Sequence, residues 1–349
     1  MKIRFRGLKI GHLDTGKNNC ITDVDGVKIG HVTLDYQLDD DGEDYACTGV
    51  TAILPHGRNL FKEKVIAASY VINGFGKTTG LIQVNELGVI ESPIMLTNTF
   101  AVPAVTEGTL QYMFEQNSEI GDTTGTINIV VGECNDSHLN SIRKLSVRPC
   151  HAIEAINNAE CGPAEEGAVG AGKGMVCFGY KGGIGTSSRK ITDEVNDVDY
   201  TVGVLTLTNF GKKEEIRTPL ENRKEPGLSE TTDGSIIMVL ATDAPLSERQ
   251  LLRVAKRCGI GLGRTGSHFS HGSGDIVIAF STANKVSHFS GGVTESRTQL
   301  RDSHIVMNQI FAGAAEATEE AILNSLSQAV TTTGRKGHIV HSFPFAKMD

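Results

Sequence analysis

The clearest hydrophobic pattern in the chain is an apolar run that begins at a serine. Residues 235–243 read Ser-Ile-Ile-Met-Val-Leu-Ala-Thr-Asp, which predicts a buried strand. Residues 211–234 before it are rich in Lys, Glu and Arg, include two prolines and contain few aliphatic side chains, which predicts an exposed loop. Asp233 and Gly234 join the two segments. A hydroxyl group therefore stands on the first residue of a core strand.

The rest of the chain alternates between strand-like and helix-like patterns. Residues 21–34 alternate around Asp25-Gly26 and predict a β-hairpin. Ser247 and Gln250 form a capping box that begins a helix ending at Gly259. Further strands are predicted near 47–54, 81–84, 94–97, 126–133, 175–180, 200–208 and 274–281, and further helices near 59–73, 105–116, 149–159 and 310–329. With no internal repeat or clean boundary, one α/β (α+β) domain spanning 1–349 is the economical prediction.

Composition narrows the class of protein. The chain has 349 residues, 39% hydrophobic and 21% charged, as expected of a soluble globular domain with a sizeable core. A formal net charge of -8 argues against a nucleic-acid or anionic-membrane partner. Seven scattered cysteines without a C-x-x-C pair indicate reduced thiols. No signal-peptide pattern or membrane-spanning run is present, so we expect a cytoplasmic protein.

Gly234-Ser235 allows two interpretations. Alone, Asp-Gly followed by a strand is typical of an ordinary β-turn. Alternatively, the Ser235 hydroxyl attacks the carbonyl of Gly234 and cuts the chain there, since glycine leaves that carbonyl unshielded. The new N-terminal serine would then hold both a nucleophile and a base, because an α-amine has a pKa of ~7.7–8.0.

Four more residues carry candidate chemistry. Ser273 and Asp275 lie two apart at the start of a predicted strand, so both side chains face the same way and can relay a hydrogen bond to a nucleophile. Glu133 ends an apolar strand, where a carboxylate suits a substrate ammonium group. Asn209 ends another, where an amide suits an oxyanion hole, although a turn residue bonding its own backbone is the simpler interpretation of Asn209 alone.

Metal and cofactor sites are not expected. His268 and His271 are three apart but have no third ligand at matched spacing, which favours a structural role. Residues 167–174 are rich in glycine but lack the Walker spacing and precede a strand rather than a helix. Residues 182–189 predict a tight active-site loop rather than a phosphate cradle.

Taken together, these motifs resemble the L-aminopeptidase/D-esterase (DmpA) family, which includes the β-peptidyl aminopeptidases. The resemblance spans nearly the whole chain in the expected order. It is carried by residues 19–31, 131–136, 167–175, 181–189, 208–209, 233–237, 241–246 and 271–275.

The resemblance implies a four-layer αββα sandwich of the kind shared with the ornithine acetyltransferases. It also implies self-cleavage into 1–234 and 235–349 and assembly as a tetramer of the resulting heterodimers. Ser235 would be the nucleophile, with Ser273 and Asp275 as partners and Asn209 in the oxyanion hole, whereas Glu133 and Asn135 would bind substrate. Some members have glutamate at the position of Asp275 and tyrosine at that of Asn135, and both departures bear on substrate preference.

The resulting hypothesis is an autoprocessing serine aminopeptidase without a cofactor or metal. It would release N-terminal residues from short peptides, amides or esters that carry a free amine. One alternative is a D-amidase or esterase, or a hydrolase of β-peptides or ω-amino-acid oligomers. A more remote alternative is a self-cleaving acyltransferase, but those enzymes cut before threonine rather than serine.

Overall fold

The structure is a computed structural model that describes residues 1–217, 234–289 and 291–345. The described residues form five α-helices: α1 (Leu81–Leu87), α2 (Val102–Gln116), α3 (Pro149–Asn157), α4 (Glu248–Arg264) and α5 (Ile305–Gln328). They also form fourteen strands: β1 (Lys28–Gln37), β2 (Tyr45–Leu54), β3 (Glu63–Gly74), β4 (Val89–Ile90), β5 (Ile94–Asn98), β6 (Val130–Cys134), β7 (Val176–Cys177), β8 (Tyr180–Lys181), β9 (Gly183–Asp193), β10 (Val198–Asn209), β11 (Ser235–Thr242), β12 (Gly274–Ser287), β13 (Thr332–Thr333) and β14 (Ile339–Val340).

Two sheets and two helix pairs stack in four layers. The smaller sheet has the order β1-β2-β5-β6, and the larger has the order β4-β3-β12-β11-β10-β9. Helices α2 and α3 cover the smaller sheet, whereas α4 and α5 cover the larger one. Three apolar cores separate the layers, the middle one formed by both sheets. The predicted αββα sandwich is confirmed. Its physical reason is that each sheet is apolar on both faces, so one face packs against the other sheet and the other face packs against helices.

The apolar run after Ser235 forms β11, a central strand of the larger sheet. All its residues are buried, since one face meets the smaller sheet and the other meets the helices. It runs antiparallel to β10 and parallel to β12, to which α4 connects it. This pairing sets Ser235 opposite Asn209 on one side and Gly274 on the other.

The helix predicted over 59–73 is wrong, because Glu63–Gly74 is strand β3. Val65 and Ala67 face the core between the sheets, whereas Ile66 and Ala68 face the helix layer. A strand that is apolar on both faces lacks the polar alternation that identifies a strand, so its periodicity is ambiguous.

Three other local predictions need correction. Residues 21–34 form no hairpin: Ile21–Asp23 is a 3₁₀ turn packed between the sheets, and β1 pairs with β2 instead. The strand predicted near 81–84 is the short surface helix α1, in which only Val84 is buried. The loop predicted at 182–189 is mostly strand β9. Its glycines let helix α5 pack closely on the strand, since a Cβ at Gly185 would lie 2.0 Å from the carbonyl oxygen of Ala321.

The start of the helix predicted after β11 is confirmed, but its predicted end at Gly259 is wrong. Helix α4 begins with the expected capping box, in which the Ser247 hydroxyl accepts from the backbone nitrogen of Gln250. It continues past Gly259 to Arg264, because a glycine alone does not end a helix whose apolar face stays buried. Most of the predicted exposed loop at 211–234 lies outside the described residues.

Candidate active site

The hydroxyl of Ser235 and the carbonyl of the preceding residue share one backbone donor. The Gly274 nitrogen lies 3.2 Å from the Gly234 oxygen and 3.3 Å from Ser235 Oγ. The parallel register of β11 and β12 produces this arrangement, since it pairs Ser235 with Gly274. A single N–H thus contacts both the Ser235 hydroxyl and the carbonyl oxygen of the residue before it.

Glycine at position 234 is required by its neighbours. A Cβ there would lie 2.8 Å from the Phe210 Cα and 3.1 Å from the Asn209 oxygen. The end of β10 and the residue that follows it therefore lie too close to Gly234 for any side chain at that position. From sequence, glycine at this position was explained by the access that it gives to its carbonyl carbon. The structure shows a second reason, which is that there is no space for a side chain.

Ser273 and Asp275 form the hydrogen-bonded pair that their spacing predicts. The Ser273 hydroxyl lies 2.6 Å from Asp275 Oδ2 and 2.8 Å from the Ser270 carbonyl oxygen. Both side chains are almost wholly buried, at 3% and 1% exposure. The aspartate carboxylate thus reaches Ser273 directly, without the longer glutamate side chain.

Burial sets the protonation behaviour of Asp275. Loss of solvation raises the pKa of its carboxyl group to about 6, and the hydrogen bond from Ser273 opposes that rise. Asp275 is therefore ionised at neutral pH and protonated in mildly acidic solution. An ionised carboxylate can orient the Ser273 hydroxyl so that its oxygen is available to a nearby nucleophile.

The Asn209 side chain is held at both ends of its amide. Its Oδ1 accepts from the Val176 nitrogen at 2.9 Å, and its Nδ2 donates to the Asn135 carbonyl oxygen at 3.0 Å. Because an amide nitrogen carries two hydrogens, a second donor remains for an oxyanion. Asn209 lies directly across from Ser235 in the sheet, which suits that role.

Glu133 enters from the smaller sheet and is 3% exposed. Its Oε1 accepts from the Lys77 nitrogen at 2.8 Å, and its Oε2 accepts from the Thr99 hydroxyl. The Cβ position of Gly76 lies 3.4 Å from Glu133 Oε1 and 3.9 Å from the Gly274 Cα. Glu133 therefore lies close to Gly274, which is the neighbour of Ser235 in the sheet. Its carboxylate keeps lone pairs that can bind an ammonium group.

Asn135 contributes its backbone rather than its amide to this cluster. Its carbonyl oxygen accepts from Asn209, whereas its side-chain oxygen accepts from the Ser137 nitrogen at 3.0 Å and caps a turn. The side chain is exposed. Direct binding of substrate by Asn135 stays a prediction.

Several residues of the site were not anticipated from sequence. The Asn73 amide nitrogen donates to the carbonyl oxygens of Ser270 and Ser273, at 2.9 and 2.6 Å, and so anchors the loop before β12. Thr99, whose hydroxyl donates to Glu133, is another such residue. It lies just after the strand predicted at 94–97, and a polar residue in that position could have been identified as a candidate. No comparable signal identifies Asn73, because the sequence pattern around it predicts a helix rather than strand β3.

A small pocket opens beside the Ser273–Asp275 pair. Its lining includes Glu215 and His268 as well as Gly234. His268 thus borders this pocket, and the structural role expected of it from sequence stays a prediction. Within residues 1–217, 234–289 and 291–345, no group of His, Cys, Asp and Glu has the arrangement of a metal site, and no helix is long and apolar enough to cross a membrane.

Comparison with known proteins agrees with this geometry. Peptidase family S58 matches over residues 19–340. The β-peptidyl aminopeptidase BapA of Sphingosinicella microcystinivorans is 40% identical over 356 residues, covering 95% of this chain and 87% of that protein. The BapA of Sphingosinicella xenopeptidilytica is 35% identical over 352 residues, covering 94% and 85%.

Solved structures extend the similarity to the whole fold. The PH0078 protein of Pyrococcus horikoshii OT3 has 50% identity and a TM-score of 0.90, covering 99% of this chain and 96% of that one. The L-aminopeptidase D-Ala-esterase/amidase of Ochrobactrum anthropi, a prototype serine aminopeptidase with a variant Ntn hydrolase fold, has 31% identity and a TM-score of 0.88, covering 98% and 95%. The family resemblance is confirmed: the chain is an aminopeptidase of peptidase family S58.

Proposed function

We propose that the chain cuts itself between Gly234 and Ser235 and then uses N-terminal Ser235 to hydrolyse substrates with a free amine. The observation that carries this proposal is the Gly274 N–H shared by the Gly234 oxygen and Ser235 Oγ. In the first step Ser235 Oγ attacks the Gly234 carbonyl carbon, and Gly274 stabilises the resulting oxyanion. The C–N bond breaks, the nitrogen takes a proton and becomes the Ser235 α-amine, and water hydrolyses the ester.

The base for this first step cannot be the Ser235 nitrogen, which is still an amide. The Ser273–Asp275 pair is the neighbouring group suited to the task, because Asp275 can accept the Ser273 proton at 2.6 Å. Ser273 Oγ is then able to accept the proton of Ser235. The same pair would orient the Ser235 hydroxyl after cleavage.

Turnover of substrate would follow the same chemistry with a new base. The Ser235 α-amine accepts the hydroxyl proton as Oγ attacks the substrate carbonyl, and Asn209 Nδ2 donates to the oxyanion. The α-ammonium returns the proton to the leaving amine or alkoxide, and water hydrolyses the acyl-enzyme. Glu133 holds the substrate ammonium group, so acyl groups without an amine would be poor substrates.

The test of self-cleavage is electrophoresis and intact-mass analysis of purified protein. Wild-type protein should show two fragments, 1–234 and 235–349, whereas Ser235→Ala should show one full-length chain without activity. Ser287→Ala, the same change at the exposed end of β12, is a matched control that should still cleave. Intact wild-type chains with full peptidase activity would refute the mechanism.

We further propose that β-aminoacyl residues are among the substrates. Support comes from the two β-peptidyl aminopeptidases at 40% and 35% identity. The direct assay compares p-nitroanilides of L-, D- and β-amino acids at equal concentrations of cleaved enzyme. A kcat/KM for β-aminoacyl substrates far below that for L-aminoacyl substrates would contradict this assignment and favour an α-aminopeptidase.

A further inference from the structure

Lys181 is a fully buried cation whose three hydrogen bonds all go to neutral carbonyl oxygens. Its Nζ lies 2.9 Å from the Gly172 oxygen, 2.8 Å from the Met175 oxygen and 2.9 Å from the Gly182 oxygen. An ammonium group has three donors, so each one is used. The exposed fraction of Lys181 is 0%, which makes the charge costly to keep.

One of these carbonyls belongs to the peptide group that holds Asn209. The Met175–Val176 peptide accepts from Lys181 through its oxygen and donates to Asn209 Oδ1 through its nitrogen, at 2.9 Å. The Asn209 amide then donates to Asn135 and keeps one N–H for an oxyanion. An unbroken series of hydrogen bonds therefore runs from a buried positive charge to the oxyanion donor.

This series has two physical effects. Since only an oxygen can accept from Val176, the hydrogen bond fixes which way the Asn209 amide faces. In addition, hydrogen bonds in series polarise one another in a low-dielectric interior. The ammonium group draws electron density through the peptide and the amide, which makes the Asn209 N–H groups stronger donors.

We propose that Lys181 is a positioning residue for catalysis, which orients and polarises Asn209 through the Met175–Val176 peptide. The inference rests on the proposed function, in which Asn209 stabilises the oxyanion. Burial lowers the pKa of Lys181 to about 7, so the side chain is charged in mildly acidic solution and loses its charge as the pH rises above neutrality.

The first test replaces Lys181 by methionine, which keeps the length of the side chain and removes the charge. We expect kcat of the cleaved enzyme to fall about tenfold to a hundredfold with KM unchanged, part of the loss that removal of a whole oxyanion donor causes. The affinity for an aminoacyl boronic acid, which mimics the tetrahedral state, should fall by the same factor. Lys173→Met is the matched control, because Lys173 pairs with Asp35 at 2.7 Å.

The second test separates positioning from simple structural support. In a background of Asn209→Ala, Lys181→Met should cause little further loss of kcat, because its effect passes through the missing amide. Additive losses, or an equal weakening of substrate and boronate binding, would overturn the proposal. Should Lys181→Met fail to fold, Lys181→Gln takes its place, with two donors and no charge. An inactive wild-type enzyme would instead refute the proposed function.

Discussion

Replacing Glu133 by glutamine tests the substrate-amine site with little disturbance of the fold. The glutamine oxygen can still accept from the Lys77 nitrogen, and its NH2 group can donate to Thr99 Oγ1. Both hydrogen bonds that hold Glu133 therefore have an equivalent in the variant. The one property that is removed is the negative charge at a site that is 3% exposed.

The size of the effect follows from the lost charge. A hydrogen bond to a charged group contributes about 1.5–3 kcal/mol. At about 1.4 kcal/mol per factor of ten, the variant should bind an ammonium substrate roughly tenfold to 150-fold more weakly. Because Glu133 is proposed to contact the amine and not the reacting carbonyl, most of the change should appear in KM rather than kcat.

The assay compares an aminoacyl p-nitroanilide with the matched acyl p-nitroanilide that lacks the amine. Wild-type enzyme should prefer the first, and Glu133→Gln should lose most of that preference by losing affinity for the amine substrate alone. Glu91→Gln is the control, since Glu91 is equally buried but binds the Asn128 nitrogen at the opposite end of β6. An unchanged preference in Glu133→Gln would refute the role of Glu133.

Two further predictions concern pH and stability. If catalysis needs both the Asp275 carboxylate, with a pKa of about 6, and the neutral Ser235 amine, log kcat/KM should rise with slope 2 below about pH 6 and with slope 1 between about pH 6 and about pH 7. Above that range, loss of the charge of Lys181, whose pKa is about 7, should flatten the rise. Asp275→Asn should abolish the steeper limb. Arg189→Met should lower the free energy of unfolding in urea by about 3–5 kcal/mol, measured on the uncleaved Ser235→Ala chain. The variant leaves the buried carboxylate of Glu316 without its arginine and takes from Glu320 one of its two arginine partners, the other being Arg4.

The pH prediction has a contradicting outcome, and the stability prediction has a control variant. A slope of 1 throughout the acidic range in wild-type enzyme would contradict the role of ionised Asp275. For the buried pair, Lys190→Met removes the neighbouring cation, whose bond to Asp199 is solvent-exposed and should matter by less than about 1 kcal/mol. Equal destabilisation by the two variants would contradict the argument from burial.

The candidate site was more predictable from sequence than some of its framework. Ser235, Ser273 and Asp275 stand at the start of an apolar run and Asn209 stands at the end of one, and strand ends are where a sheet presents side chains to a site. Their spacing alone could not bring β10 beside β11, because strand order depends on long-range pairing. The family resemblance implied that these residues share one site, but it did not give the order of the strands.

The features that the sequence did not predict lack a distinctive pattern of side chains. Strand β3 is apolar on both faces, so its pattern could not be distinguished from that of a helix, and the role of Asn73 was lost with it. The hydrogen bonds of Lys181 depend on the conformation of residues 172–182, which no periodicity describes. Backbone groups such as the Gly274 N–H carry no sequence signature at all.

The strand order of the larger sheet has a consequence for the stability of a cleaved protein. Strands β11 and β12 lie between β10 and β3, so the segment after Ser235 fills the middle of a sheet whose two sides belong to the segment before it. A cut at Gly234 would therefore turn unfolding into the dissociation of two chains. Its reversal would depend on their concentration, and neither chain alone would keep a continuous larger sheet.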